Sequence, residues 1–269
     1  MRVVLTRPAG DAQLWADGLQ KAGHEVLLLP LIDIQPVSDL RPVQDAWAHL
    51  ADYAALMFVS SNAVNFFMVQ RPEQFLFMPF PTASLPRAWV TGPGSQHTLL
   101  HLGWPYDQID VPMADAQQFD SPALWVQVQN QVRPGARVLL VRGESALQKA
   151  QMRAIPDGAR ASQWMVQQLR QAGAVVEFCQ AYQRLAPVFT MQQQALARRA
   201  LGIGAVWLFS SSEGIFNLRQ GMPGLEFQKA QALTTHPRIA RAAAAAGFKD
   251  VAVVRPMLAQ VIASIESMA

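Results

Sequence analysis

The sequence predicts an α/β protein: two similar parallel-sheet α/β domains joined by a two-stranded hinge, with the functional site in the interdomain cleft. Three observations carry this expectation. Apolar runs of strand length alternate with segments of helical periodicity along the chain, the pattern of a parallel sheet flanked by helices. A strand-to-helix turn with paired serines occurs twice, as Phe58-Val59-Ser60-Ser61-Asn62-Ala63-Val64 and as Phe209-Ser210-Ser211-Ser212-Glu213-Gly214-Ile215. Two extended, proline-bounded stretches, near residues 30–36 and 181–187, divide the chain unevenly.

In order, Val3 to Leu5 read as a short buried strand. A helix follows from about Asp11 with Leu14, Gly18, Leu19 and Ala22 on one face, stopped by Gly23. His24 to Leu29 form the next strand, and Pro30 to Pro36 an extended connector. Arg41 to Leu50 is helical, and the apolar run Ala54 to Val59 enters the first Ser-Ser turn. The Pro- and Phe-rich loop of Arg71 to Pro86 has no assigned structure. Ala88 to Thr91 is a strand running into Gly92-Pro93-Gly94-Ser95 and a helix that ends at Gly103. Ser121-Pro122 reads as an N-cap with proline in the first turn, before Leu124, Val128 and Val132 at helical spacing.

Arg137 to Val141 is a strand that runs into Arg142-Gly143-Glu144. Residues 145–160 break the rhythm and read as a basic surface excursion. A helix through Met165 and Leu169 stops at Gly173, a strand covers Val175 to Phe178, and the second connector follows. Met191 to Leu201 is a helix, and the run from Ala205 enters the second Ser-Ser turn. Ala232 to Thr235 lead into His236-Pro237-Arg238-Ile239 and a helix ending at Gly247. A strand at Val251 to Val254 and a helix through Leu258, Val261, Ile262 and Ile265 close the chain.

Internal repetition organises these elements. Thr91-Gly92-Pro93 matches Thr235-His236-Pro237, Val4-Leu5-Thr6-Arg7 matches Leu140-Val141-Arg142, and Lys21-Ala22-Gly23 matches Gln171-Ala172-Gly173. Gly23 and Gly173 are 150 residues apart but Arg7 and Arg142 only 135, a shortfall that the excursion accounts for. Pairing of the two connectors as hinge strands makes residues 1–35 plus 183–269 one discontinuous domain and 36–182 an inserted second one.

Composition narrows the function. About half of the 269 residues are apolar and 15% are charged, enough for proper cores and unlike a disordered chain. The single Cys179 excludes an internal disulfide and a cysteine-based metal site, and it reads as a small buried apolar residue. The net charge of +3 is scattered, so no nucleic-acid partner is expected. The start, Met1 to Pro8, does not read as a signal peptide, and no run suits a bilayer span. The expectation is a cytoplasmic, monomeric protein with no membrane partner.

In open α/β sheets ligands sit beyond the carboxyl ends of the strands, where every one of these turns falls. Ser60, Ser61, Asn62 and the Gly92 to Ser95 turn would come from one domain. Ser211, Ser212 and Thr235 to Ile239 would come from the other, with Arg7, Arg142 and Arg238 adding cations. These groups are mainly donors and suit a ligand with several carboxylates. Each also has a plainer reading: serines as N-caps, glycines as tight-turn residues, Tyr182 as a packing aromatic. His49, His97 and His101 have no partner at metal-ligand spacing, and the chain has neither a phosphate loop nor a nucleophile-base pair.

These residues resemble the uroporphyrinogen-III synthase family. The resemblance is carried in order by Leu5-Thr6-Arg7-Pro8, Leu29-Pro30-Leu31-Ile32, Phe58 to Val64, Val141-Arg142-Gly143-Glu144, Ala181-Tyr182-Gln183-Arg184 and Thr235 to Ala240. It implies a cyclising lyase of tetrapyrrole and heme biosynthesis that uses no cofactor and no metal. The substrate would be hydroxymethylbilane, a linear tetrapyrrole with eight carboxylates. It would lose water and close to uroporphyrinogen III, with inversion of ring D through a spiro intermediate. The resemblance implies Tyr182 as acid or positioning group. Arg7, Ser60, Ser61, Asn62, Gly92, Ser95, Arg142, Gly143, Ser211, Ser212, Thr235, His236, Arg238 and Ile239 are implied as substrate binders. Other members often place Gly and Thr where His236 and Ile239 stand. The alternative from a different class is a two-lobed, non-catalytic module that binds a polyanionic tetrapyrrole-like ligand; tight binding without turnover would mark it.

Overall fold

The computed structural model describes residues 1–75, 85–145, 161–202 and 204–268. Beyond Ser145 the expected basic excursion lies outside the described residues, as does most of the Pro- and Phe-rich stretch. The chain divides into two compact units, Met1–Asp33 with Leu185–Ala269, and Ile34–Arg184.

The first unit is a five-stranded sheet of β1 (Arg2–Leu5), β2 (Glu25–Leu28), β9 (Ala205–Phe209), β10 (Gln231–Thr234) and β11 (Asp250–Val253). Its order is β11-β10-β9-β1-β2 and every pairing is parallel. Strands buried on both faces need apolar residues at successive positions. Val4, Trp207 and Phe209 point to one face, where α7 (Met191–Arg199), α8 (Ser212–Gly221) and α9 (Pro237–Ala245) cover them with Ala197, Ile215, Leu218 and Ala243. Val3, Leu5, Val206 and Leu208 point to the other, under α1 (Ala9–Lys21) and α10 (Leu258–Ser267).

The face of α1 differs from the expectation. Leu14 is 69% exposed, and Ala12, Ala16 and Leu19 face the core. Gly18 explains the choice. A Cβ there would collide with the Leu258 side chain, so small residues on this face let α10 come close.

The second unit is a six-stranded sheet of β3 (Asp33–Pro36), β4 (Ala55–Phe58), β5 (Arg87–Val90), β6 (Ile109–Asp110), β7 (Arg137–Ser145) and β8 (Val175–Leu185), in the order β3-β8-β7-β4-β5-β6. α2 (Arg41–Ala48), α3 (Ser61–Val69) and α4 (Pro93–His101) cover one face through Val43, Trp47, Val64, Phe67 and Leu99. α5 (Ser121–Val128) and α6 (Ala161–Gln171) cover the other through Leu124, Val128, Met165 and Leu169.

Three local expectations change here. The cap of α5 is Asp120, whose carboxylate accepts from the Ala123 N–H at 3.0 Å; Ser121 is already helical. The strand expected over Arg137 to Val141 is longer, because β7 continues to Ser145 through a bulge between Arg142 and Gly143. The second connector is likewise no separate piece, since β8 runs unbroken from Val175 to Leu185.

Without β3, the two sheets have the same layout. β8-β7-β4-β5-β6 corresponds in position to β2-β1-β9-β10-β11; along the chain the latter is the 2-1-3-4-5 order of doubly wound sheets and the former is its permuted form, 5-4-1-2-3. In each, the strand order reverses between two central strands, β1 and β9 in one and β7 and β4 in the other. The crevice at the carboxyl ends of such a pair is where doubly wound sheets bind ligands.

Candidate active site

In the second unit that crevice is built around Tyr182. Residue pairing in β8 and β7 sets Tyr182 opposite Gly143. On the other side of β7, Val141 pairs with Phe58, which puts Ser60 level with Gly143 just past the end of β4. The tyrosine ring crosses Gly143 to reach the serine. A Cβ on Gly143 would collide with the ring's Cε2 and Cζ, so only glycine admits it. The two hydroxyls meet at 3.0 Å. Phe66 stacks on the ring at a centroid distance of 5.6 Å and an interplanar angle of 25°.

Ser60 is also the N-cap of α3. Its backbone is extended, and its Oγ accepts from the Ala63 N–H at 3.1 Å. Ser61 is the first residue of the helix and approaches the neighbouring turn, where a Cβ on Gly94 would stand 3.5 Å from Ser61 Oγ. Gly92 caps α4 with extended backbone and no side-chain bond. Asn62 stands in the first turn of α3, partly buried. Ser95 is turned inward and is only 6% exposed. Arg142 lies on the Phe178 ring, its guanidinium carbon 4.6 Å from the centroid.

The first unit repeats this plan without the tyrosine. Ser211 caps α8 by accepting from the Glu213 N–H at 3.2 Å, and Ser212 follows as the first helical residue. His236 caps α9. Its Nδ1 accepts from the Arg238 N–H at 3.0 Å, so the neutral ring carries its proton on Nε2. Thr6 Oγ1 donates to the Leu208 carbonyl at 2.7 Å, and the Thr235 N–H donates to the Phe209 carbonyl at 3.2 Å; both tie the turns to the end of β9. Arg7, like its counterpart Arg142, rests on an aromatic ring, that of Trp15 at 4.0 Å. Burial disfavours its charge and pushes its pKa down to about 10, against a smaller opposing pull from Asp11. Its Nε, shielded from solvent, has no hydrogen-bond partner among the described residues.

Ile239 faces away from this surface. Its side chain is packed in the core with Trp207 and Phe209, and its N–H donates to the His236 carbonyl at 2.9 Å. Arg238 is exposed at the start of α9. Phe66 is absent from the sequence-based set. Its signal is nevertheless there: Ala63, Val64 and Phe67 form the buried face of α3, and a second phenylalanine beside Phe67 falls off that face. Among the described residues no three His, Cys, Asp or Glu side chains converge as ligands for a metal ion. No helix among them is long and apolar enough to cross a membrane.

Fold and site together define a duplicated, doubly wound α/β protein with hydroxyl, amide and guanidinium donors at the carboxyl ends of its central strands. The chain belongs to the uroporphyrinogen-III synthase family: the family model described as uroporphyrinogen-III synthase HemD matches residues 13–259. A uroporphyrinogen-III synthase of Synechococcus elongatus is 36% identical over 63 residues, which are 23% of this chain and 24% of that protein. The match thus spans about a quarter of the curated relative's length. Among solved structures, a mutant uroporphyrinogen III synthase of Thermus thermophilus aligns at a TM-score of 0.57 with 15% identity, covering 100% of this chain and 98% of the other. The uroporphyrinogen-III synthetase of Helicobacter pylori aligns at 0.57 with 14% identity and full coverage of both chains. At such identities the likeness concerns the fold.

Proposed function

We propose that this protein is a cyclising lyase that converts hydroxymethylbilane to uroporphyrinogen III. The observation that carries the reading is the Ser60–Tyr182 hydroxyl pair, held over Gly143 at the switch point of the second sheet. The chemistry needs little more. Electron release from the terminal pyrrole expels the hydroxyl, which leaves as water once it receives a proton, and a neutral hydroxyl donor suffices for that transfer. The far pyrrole then attacks through its substituted carbon. The spiro intermediate reopens, and ring D closes inverted. A carbon–carbon bond replaces a carbon–oxygen bond with no change in overall oxidation level, so the reaction needs no redox cofactor.

The remaining groups are suited to holding the substrate. Eight carboxylates require many donors, and the capped turns and Arg7, Arg142 and Arg238 supply them. In this reading such donors hold the carboxylates of the substrate and set its two ends for closure. The chain passes between units at residues 33–34 and 184–185, inside the stretches expected as hinge strands, which supports that role for them. A substrate with eight charges does not cross membranes, so the reading includes a cytoplasmic enzyme, working as a monomer.

The test is product analysis. Enzymatically generated hydroxymethylbilane incubated with the protein should yield the type III isomer. Recovery of only the spontaneous, uninverted type I isomer would refute the reading.

A further inference from the structure

We infer that the hydroxyl that protonates the leaving group belongs to Ser60, and that Tyr182 stands behind it as the proton source. The inference rests on the proposed cyclisation and assigns the order of its proton transfers. Tyr182 is only 2% exposed and belongs to the core of its unit, together with Phe58, Val64, Val141 and Ala181. Phe66 lies on its ring, and Gly143 passes under it. Ser60, at the mouth of the turn, is partly exposed. Of the two hydroxyls, the serine is the one a substrate meets.

Hydrogen-bond accounting gives the direction of transfer. A serine oxygen has two acceptor sites and one proton. One site of Ser60 takes the Ala63 N–H at 3.1 Å, and the other faces the Tyr182 hydroxyl at 3.0 Å. A phenol is the stronger acid of the two and the better donor, while an aliphatic hydroxyl is the better acceptor. With both acceptor sites filled, the Ser60 proton is directed away from the helix start and from the ring. Serine alone is too weak an acid for the task. Coupled to a phenol, whose ordinary pKa is about 10, it delivers the phenol's acidity at a position that the buried ring does not occupy.

The step balances. The carbon–oxygen bond of the hydroxymethyl group breaks with its electrons on oxygen. That oxygen takes the Ser60 proton, Ser60 takes the Tyr182 proton, and water departs. The Tyr182 phenolate recovers a proton through Ser60 when the inverted ring closes, loses its own ring proton and regains aromaticity.

The test combines two variants with a proton inventory, using hydroxymethylbilane as substrate. Ser60→Asn keeps an oxygen that caps α3, because asparagine caps as well as serine, but it cannot relay a proton. Its kcat should fall roughly ten- to a thousandfold, as for Tyr182→Phe. The double variant should lie within about threefold of the weaker single one, because the residues act as one unit. Ser60→Thr should restore the rate. In mixtures of light and heavy water the wild-type kcat should give a curved inventory, from two protons in flight. A linear inventory, or Ser60→Asn with kcat within about twofold of wild type while Tyr182→Phe is impaired, would overturn the relay and leave Tyr182 as direct donor. Wild-type protein that forms no type III isomer would instead refute the proposed function itself and the relay with it. The inventory is measured on the unaltered protein, so the test survives a variant that fails to fold.

Discussion

The Tyr182 hydroxyl lies 3.0 Å from Ser60 Oγ, and the residue between them on the intervening strand is Gly143. A side chain from β8 and one from the turn after β4 thus meet over β7, which contributes no side chain at that position. Tyr182→Phe removes the phenolic proton and retains the ring. Turnover should fall roughly ten- to a thousandfold with an unchanged circular dichroism spectrum; an unaltered rate would reduce Tyr182 to packing.

Gly143→Ala tests the same arrangement from below. The new methyl would overlap the tyrosine ring, and forced repacking of this kind costs about 1–3 kcal/mol. A lower Tm is expected together with a loss of kcat close to that of Tyr182→Phe. Urea titration and steady-state assays on the same preparation would check both.

Much of this plan is legible in the sequence, and the exceptions share a cause. Apolar period, glycine stops and repeated turns are local signals, and they mark the strands, the helices and the equivalence of Ser60 with Ser211. The strand read as ending at Val141 runs on through Gly143, although a glycine after an apolar run is ordinarily punctuation. The actual reason for this glycine is the Tyr182 ring, which arrives from another strand. Leu14 departs from its reading for a similar reason: the packing of α1 is decided by the close approach of Leu258 to Gly18, which no periodicity within α1 reports. Strand β6, two residues long, is too short to carry a pattern. Tyr182 stands out as a candidate, but its partner lies 122 positions away, and only the parallel register of three strands brings the two level.

Ser211 has a capping bond, and its unit contains no tyrosine. Ser211→Ala should therefore cost stability, about 1 kcal/mol for a lost cap, which corresponds to a fall in Tm of about 2–4 °C in a chain of this size. Its effect on catalysis should appear in KM more than in kcat. Ser211→Asn should recover the Tm.

Arg7 carries a charge that burial disfavours, with its Nε unbonded among the described residues and its guanidinium over Trp15. Arg7→Met keeps the stem and removes the charge. Thermal stability should hold or rise, because the desolvation cost disappears while a desolvated cation–π contact worth about 2 kcal/mol is lost. KM for hydroxymethylbilane should increase. Thermal denaturation with and without uroporphyrin as a polycarboxylate probe would show a ligand-induced rise in wild type that the variant lacks.

Cys179 is buried, which pushes its thiol up to about 12. The unfolded thiol loses its proton near the ordinary value, while the folded one keeps it. The unfolded state thus binds fewer protons between about pH 9 and 12, and stability falls as pH rises through that window, by up to about 1.4 kcal/mol per pH unit for one proton. Below pH 9 the contribution is fully present. Denaturant titrations at pH 8 and 10 should show a steeper loss for wild type than for Cys179→Ala.

The pairing of β1 has a consequence for synthesis. Val4 lies in register with Trp207, so during synthesis this strand waits for a partner made roughly 200 residues later, or roughly 10–40 s at 5–20 residues per second. The second unit, continuous from Ile34 to Arg184, leaves the ribosome complete during that interval. It should fold first, while β1 lacks its β9 neighbour and leaves an apolar edge exposed to chaperones and to misassociation. The vulnerable period in the life of this protein therefore lasts until β9 is translated, and substitutions in Val3, Val4 or Leu5 should show themselves in yield as much as in the stability of the finished molecule.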